Sequence, residues 1–256
     1  MPDAYILCAT PRSGSTLLCG LLAATGRTGN PDSFYRPQSR MDWVREWGLP
    51  DPVGMDKAEF DRSFLEAAIR AGRGDTGIFG LRLMRENLEE LSAILDRLHP
   101  GLASDRARFE WAFGEVLYIH LSREDTLAQA VSLVRAEQTG LWHVAPDGTE
   151  LERLAPPEPP RYDFDRIGRA VAGYEAFEAA WVFWFKEQGI EPLRIGYERL
   201  SADPVTTLVA ICEALQIRPP KTDAIRPEVA KLADSVSRDW MRRYRSDLAA
   251  AERGGG

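Results

Sequence analysis

The first two dozen residues constrain the fold more than any other part of the chain. Ala4-Tyr5-Ile6-Leu7-Cys8-Ala9 runs without a polar break, the pattern of a short strand covered on both faces. Thr10-Pro11-Arg12-Ser13-Gly14-Ser15-Thr16 follows at once, and then Leu17, Leu18, Leu21 and Leu22 recur at helical spacing. That spacing predicts a helix from near Gly14 to Thr25-Gly26, with glycine at the position of a C-terminal cap. A doubly covered strand feeding directly into a helix is the opening unit of a parallel sheet with helices on both sides.

Later segments repeat the alternation. Residues 27–56 are rich in Pro, Gly, Arg and Trp and read as loop with short pieces; Glu59–Ile69 reads as helix. Ile78–Met84 reads as a buried strand followed by a helix through Leu95. Val116–Leu121 is a third strand, and its following helix turns Leu127, Ala130, Val131 and Val134 inward. Pro156, Pro157, Pro159 and Pro160 interrupt a polar stretch between Gly140 and Tyr162, which predicts a long loop across 140–162. Ile167–Phe185 is an aromatic helix whose Trp181 and Trp184 suit core packing, and Leu193–Tyr197 is a further strand. Asp203-Pro204 supplies an N-cap and a first-turn proline for a helix ending near Leu215. An arginine-rich helical tail is expected from Pro227 to Ala251. The expectation is one α/β domain over 1–256, a mostly parallel, doubly wound sheet flanked by helices.

Composition narrows the function. A net charge of −7 argues against a general nucleic-acid binder, which rests on a basic surface, yet leaves room for a local pocket of arginines. Cys8, Cys19 and Cys212 are odd in number and lack metal-ligand spacing, so they read as reduced, buried thiols; with three scattered histidines, no metal site is expected. No apolar stretch has membrane-spanning length and no basic leader precedes the first strand, so no membrane partner is expected and the expected compartment is the cytoplasm.

The turn between the first strand and helix is built to hold an anion. Backbone amides and the positive end of a helix dipole converge there. Gly14 permits close approach, Ser13, Ser15 and Thr16 add hydroxyl donors, and Arg12 adds charge. Against the triphosphate-binding pattern G-x-x-x-x-G-K-[ST], Ala9 stands at the first glycine and Ser15 at the lysine, while Thr16 is kept. The strands end in Arg82-Leu83-Met84 and Leu121-Ser122-Arg123 rather than in a magnesium-binding aspartate, which favours a phosphosulfate over a triphosphate. A second cationic point is Arg123 at a strand end, with Ser132 in the helix behind it. Gln129, Ser132 and Arg135 share a helix face and are expected to look into the crevice.

Together these residues resemble the sulfotransferases that use 3′-phosphoadenosine 5′-phosphosulfate (PAPS), and most closely the bacterial trehalose 2-sulfotransferase family. The matching pieces are Pro11 to Leu18, Ala24-Thr25-Gly26, Gly80 to Met84, Ile119 to Arg123 with Gln129 to Ser132, Gln138-Thr139, and Asp239-Trp240 with Arg243-Tyr244-Arg245. The resemblance implies a P-loop-like sulfotransferase fold, often a homodimer, with PAPS as co-substrate. It assigns Arg12, Ser13, Gly14, Ser15 and Thr16 to the 5′-phosphosulfate and Arg123 with Ser132 to the 3′-phosphate. Arg82, at a family lysine position, is expected to stabilise charge beside the transferring group.

One segment departs from that family. Its two acceptor-facing glutamates, one of them the catalytic base, correspond here to Asn30 and Ser33. Serine does not accept a proton unaided at neutral pH, so Asp32 is the expected base and Glu86 the second choice. Phe34 and Tyr35, with the 140–162 segment, are expected to shape a pocket for a sugar-like acceptor other than trehalose. Two further readings stay open: a catalytically silent PAPS-binding protein, and an ATP- and magnesium-dependent small-molecule kinase.

Overall fold

Alternation along the first strand decides how the layers assemble. In the computed structural model, which describes residues 1–220 and 234–254, β1 (Ala4–Ala9) is buried along its whole length. Ala4, Ile6 and Cys8 enter one core cluster, and Tyr5, Leu7 and Ala9 enter another on the opposite face. Helix α1 (Ser15–Ala24) covers the second face through Leu18, Leu21 and Leu22. Leu17, expected inside, is half-buried and borders a cavity instead. Two helices follow, α2 (Arg40–Glu46) and α3 (Lys57–Arg73); Asp56 caps α3 by accepting from the amides of Ala58 and Glu59, both at 3.0 Å.

Next come β2 (Phe79–Met84), α4 (Leu88–Leu98), α5 (Asp105–Phe113) and β3 (Val116–Ser122). Helix α5 falls outside the predicted elements. It is capped by Ser104, which accepts from the Ala107 amide, and it buries Phe109 and Phe113. After α6 (Thr126–Thr139) the chain forms a hairpin, β4 (Leu141–Val144) and β5 (Glu150–Arg153), where a long loop was expected. Then follow α7 (Phe164–Glu187), β6 (Leu193–Gly196), α8 (Tyr197–Ala202), α9 (Pro204–Ala214) and α10 (Ser235–Gly254). The expected start of the tail at Pro227 lies outside the described residues.

The main sheet has the order β2-β1-β3-β6, and every neighbouring pair is parallel. Helices α3, α4, α5 and α7 pack on the face of Ile6 and Cys8, and α1 and α9 on the face of Leu7. This is the doubly wound arrangement the alternation predicts. Trp181 of α7 is fully buried and donates from its indole nitrogen to the Ala9 carbonyl at 3.1 Å, which ties the helix to the end of β1 where the chain turns toward α1. A third cluster joins α6, α7 and α10 through Val131, Val134, Tyr174, Trp240 and Tyr244. Among the described residues no helix is long and apolar enough to cross a membrane.

Candidate functional site: an arginine-lined cavity at the strand ends

The chain leaves β1 at Ala9 and enters α1 at Ser15 through a loop with two left-handed residues, Arg12 (φ 62°) and Gly14 (φ 86°). Gly14 is required twice over. Its φ lies where side chains are strained, and a Cβ there would stand 2.5 Å from Cδ2 of Tyr197. Arg12 tolerates its φ because the loop is held from below and its side chain from above. Gln129 of α6, expected in the crevice, instead lies buried beneath the loop, where its amide donates to Thr10 Oγ1 at 2.9 Å and to the Pro11 carbonyl at 2.7 Å. The Arg12 guanidinium donates to Ser132 Oγ at 3.0 Å and to the Trp142 carbonyl of the hairpin at 2.6 Å. Burial, together with neighbouring Arg123, pulls the Arg12 pKa below its ordinary value, though an arginine remains charged at neutral pH.

Around this loop lies a cavity of about 630 Å³. It is lined by Arg12, Gly14, Ser15 and Thr16 from the loop and α1, by Ser33 and Arg82, and by Arg123 and Ser132. The structure therefore brings together the two anion points that the sequence places over a hundred residues apart. Ser13 is completely buried rather than at the wall. Arg123 donates to the Arg12 carbonyl at 3.1 Å and lies over the Tyr197 ring, 4.5 Å from its centroid. Arg135, also at the wall, is paired with Asp234 at the start of α10.

Arg82 is the hub on the opposite side. Its Nε donates to Ser33 Oγ at 2.7 Å, Nη1 to Thr16 Oγ1 at 2.9 Å and Nη2 to Asp32 Oδ1 at 2.9 Å. Asp32 is held in register by a parallel bridge to Leu81, and its carbonyl accepts from the Arg82 amide at 3.0 Å. Its carboxylate also accepts from the Ser33 amide at 2.6 Å, and Asp32 is not among the residues that line the cavity. Glu86 does line it, and burial raises its pKa. Asn30 is exposed; its amide donates to the Gly72 carbonyl at the end of α3, and it contributes nothing to the cavity wall.

Phe34 and Tyr35 do not shape the pocket. They are 2% and 3% exposed and belong to the core, Phe34 against Trp43, Trp47 and Phe79 and Tyr35 against Phe64. An aromatic pair beside a turn suits either stacking on a ligand or packing, and here the apolar surface of α2 and α3 claims both rings. The cavity's aromatic surface comes from Trp142, Tyr174, Phe177 and Tyr197.

The hairpin supplies residues that the sequence reading missed. His143 Nε2 lies 3.2 Å from Thr16 Oγ1 and 3.4 Å from Glu152 Oε2, and Arg36 approaches Glu152 at 4.0 Å. Burial first, then Arg12 and Arg82, pulls the His143 pKa down to about 4, so the imidazole is neutral at pH 7. The available signal was Pro146-Asp147-Gly148, a tight-turn sequence directly after the short apolar run Leu141-Trp142-His143-Val144.

An anionic ligand suits these walls. Arg123 Nε and Tyr174 Oη, on two residues of the wall, are buried without a hydrogen-bond partner among the described residues, and each can donate. The absence of a Cβ at Gly14 keeps the loop backbone close to Tyr197 and open toward the cavity. A strand–loop–helix turn at the end of a parallel sheet, joined by a second arginine at the next strand end, makes this an α/β protein whose cavity donors suit an anionic ligand.

The Stf0 sulphotransferase family model matches residues 4–247, and the chain belongs to that family. It is 31% identical to the trehalose 2-sulfotransferase of Mycolicibacterium smegmatis over 96% of each chain. It is also 31% identical to the trehalose 2-sulfotransferase of Mycobacterium tuberculosis, over 95% of this chain and 94% of that one. Among solved structures, the sulfotransferase domain from the curacin biosynthetic pathway shares the fold, with a TM-score of 0.50 and 16% identity over 93% of this chain and 82% of the other.

Proposed function

We propose that this protein transfers a sulfuryl group from PAPS to a hydroxyl of a small carbohydrate or glycolipid. One observation carries the reading: Arg12, Thr16, Arg82, Arg123 and Ser132, drawn from four separate segments, line a single cavity, with Ser15 where a triphosphate-binding lysine belongs. Both curated relatives are named for sulfation of a sugar, and membership of the family supports the same chemistry here.

In this reading the loop amides, Arg12 and the hydroxyls of Ser15 and Thr16 hold the 5′-phosphosulfate. Arg123 and Ser132 hold the 3′-phosphate, the group that separates PAPS from common adenine nucleotides. The acceptor oxygen attacks sulfur in line with the bridging oxygen, and the electrons of the breaking S–O bond pass to the 5′-phosphate. Arg12 and Arg82 are fixed before the reaction by Ser132, Ser33 and Asp32, so they meet that developing charge without reorganising. Asp32, ion-paired to Arg82, orients the guanidinium that also donates to Thr16. With Ser33 in place of a family glutamate and occupied by Arg82, the acceptor differs from trehalose at the contacts made there.

Calorimetry with adenosine 3′,5′-bisphosphate, and labelled-sulfate transfer from PAPS to a panel of sugars and glycolipids that includes trehalose, test the reading. Tight bisphosphate binding with transfer to at least one member is expected. Magnesium–ATP binding without affinity for the bisphosphate overturns it.

A further inference from the structure

We infer that His143, on the β4–β5 hairpin, is the proton acceptor for the attacking hydroxyl, with Glu152 stabilising the imidazolium that forms. The inference rests on the sulfuryl-transfer reading above and assigns the step for which that reading names no group. Three observations carry it.

First, position. His143 lines the same cavity as Arg12, Arg82 and Ser132, and its Nε2 touches Thr16 Oγ1 at the start of α1, beside the point where the cradle holds its anion. Second, hydrogen-bond direction. Arg82 donates to Thr16 Oγ1, so the threonine's own hydrogen can be donated to Nε2 in the tautomer that carries its proton on Nδ1, and that is the tautomer the assignment requires. When an anion in the cradle accepts the Thr16 hydroxyl, the Nε2 lone pair is released toward the cavity. Third, the two candidates on the Arg82 side are engaged elsewhere, which leaves Glu86 as the rival at the cavity wall. The Asp32 carboxylate accepts from Arg82 and from the Ser33 amide and does not line the cavity, and Ser33 Oγ accepts from Arg82.

The step balances. The acceptor oxygen forms a bond to sulfur, the bond from sulfur to the bridging oxygen breaks, and adenosine 3′,5′-bisphosphate leaves with that electron pair. The hydroxyl proton passes to His143 Nε2. Glu152, whose Oε2 lies 3.4 Å from Nε2, offsets the new positive charge and is itself approached by Arg36. The charged groups around the imidazole are thus Arg12 and Arg82 from the cradle side and Glu152, with Arg36 behind it, from the hairpin side. The two cationic neighbours that depress its basicity are those a bound polyanion neutralises, so donor binding raises the affinity of His143 for a proton.

Two measurements decide it. The chain has three histidines, so ring resonances of labelled protein can be followed individually, with His143→Gln identifying the signal. Adenosine 3′,5′-bisphosphate should move the His143 titration point upward by about one pH unit or more. Bisphosphate formation from PAPS is then measured with water and with the acceptor that the sugar and glycolipid panel identifies. His143→Gln should lower kcat by about 10²-fold or more while bisphosphate affinity stays within about threefold, and the acidic limb of the rate profile should disappear. An unmoved titration point overturns the assignment, as does unchanged kcat and pH profile in His143→Gln, or an acidic limb lost in Glu86→Gln or Asp32→Asn but kept in His143→Gln. A wild-type protein that binds the bisphosphate but forms none from PAPS instead contradicts the sulfuryl-transfer reading, and the titration still judges His143.

Discussion

Gly14→Ala is the most discriminating single substitution in the cradle, because two independent penalties meet at one Cβ. The residue's φ of 86° is left-handed, and adding a side chain there costs about 1–2 kcal/mol. The new methyl would also lie 2.5 Å from Tyr197 Cδ2 and 2.9 Å from Cε2, far inside the roughly 3.5–4.0 Å that carbon atoms prefer. The Tyr197 ring must therefore retreat by about 1 Å. In doing so it withdraws from under the Arg123 guanidinium, 4.5 Å above its centroid, a contact worth about 0.5–2 kcal/mol.

The summed cost is about 1.5–4 kcal/mol, read in urea denaturation. Because the moving ring supports Arg123, affinity for adenosine 3′,5′-bisphosphate should also fall by tenfold or so. Tyr197→Ala in the same background removes the collision but leaves the backbone strain. The double-mutant cycle should therefore show a favourable coupling of about 1–2 kcal/mol. Additive penalties, or a Gly14→Ala protein within about 0.5 kcal/mol of wild type, would refute the close approach of loop and ring.

Other perturbations test separate parts of the molecule. Arg123→Ala should weaken adenosine 3′,5′-bisphosphate binding by about 10–100-fold in calorimetry while leaving adenosine 5′-phosphosulfate affinity much less affected, since a charge-assisted phosphate contact is worth about 1.5–3 kcal/mol. Asp61 is 1% exposed and accepts from both Arg40 and Arg97, so Asp61→Ala strands two guanidinium groups and should destabilise the fold by about 3–5 kcal/mol in urea melts. His143 is held neutral, with its pKa pulled to about 4 in the fold, while the unfolded chain titrates near 6.5 and takes up its proton first. Its contribution is thus complete above about pH 6.5 and fades as pH falls toward 4; His143→Gln should flatten a stability-against-pH curve by up to about 3 kcal/mol across that window.

The parts legible in the sequence are those whose chemistry is local. The strand, the Pro11–Thr16 turn and the start of α1 are contiguous, so one short segment carries both the buried-strand pattern and the donors of the cradle. The Asp203-Pro204 cap was equally readable, and Asp203 does accept from the Thr206 amide at 3.0 Å. Arg123 and Ser132 could be placed because doubly wound sheets present their strand ends to one crevice. The hairpin is different. Its strands have four residues each, too few for alternation to outweigh the prolines that follow, and much of their support is remote: Arg12 reaches the Trp142 carbonyl, and Arg153 reaches the Thr139 carbonyl at 2.6 Å.

The same distinction separates the two roles expected of residues 32–35. Nothing local distinguishes an aromatic pair that stacks on a sugar from one that faces Phe64 and Phe79, because the choice is made by α3 and β2 folding against it. Nor does Asp32 announce that Arg82, fifty positions away, will take its carboxylate. Once that pair forms, the carboxylate holds the guanidinium whose Nη1 donates to Thr16. The consequence is a division of labour between segments: the loop after β1, strand β2 and the end of β3 carry Arg12, Arg82 and Arg123, and the hairpin carries a neutral imidazole in contact with Thr16. A chain that has lost a carboxylate base on one side of such a cavity can keep the same chemistry by drawing a proton acceptor from the other. That holds only if the replacement touches the same hydroxyl-bearing turn, as His143 does through Thr16.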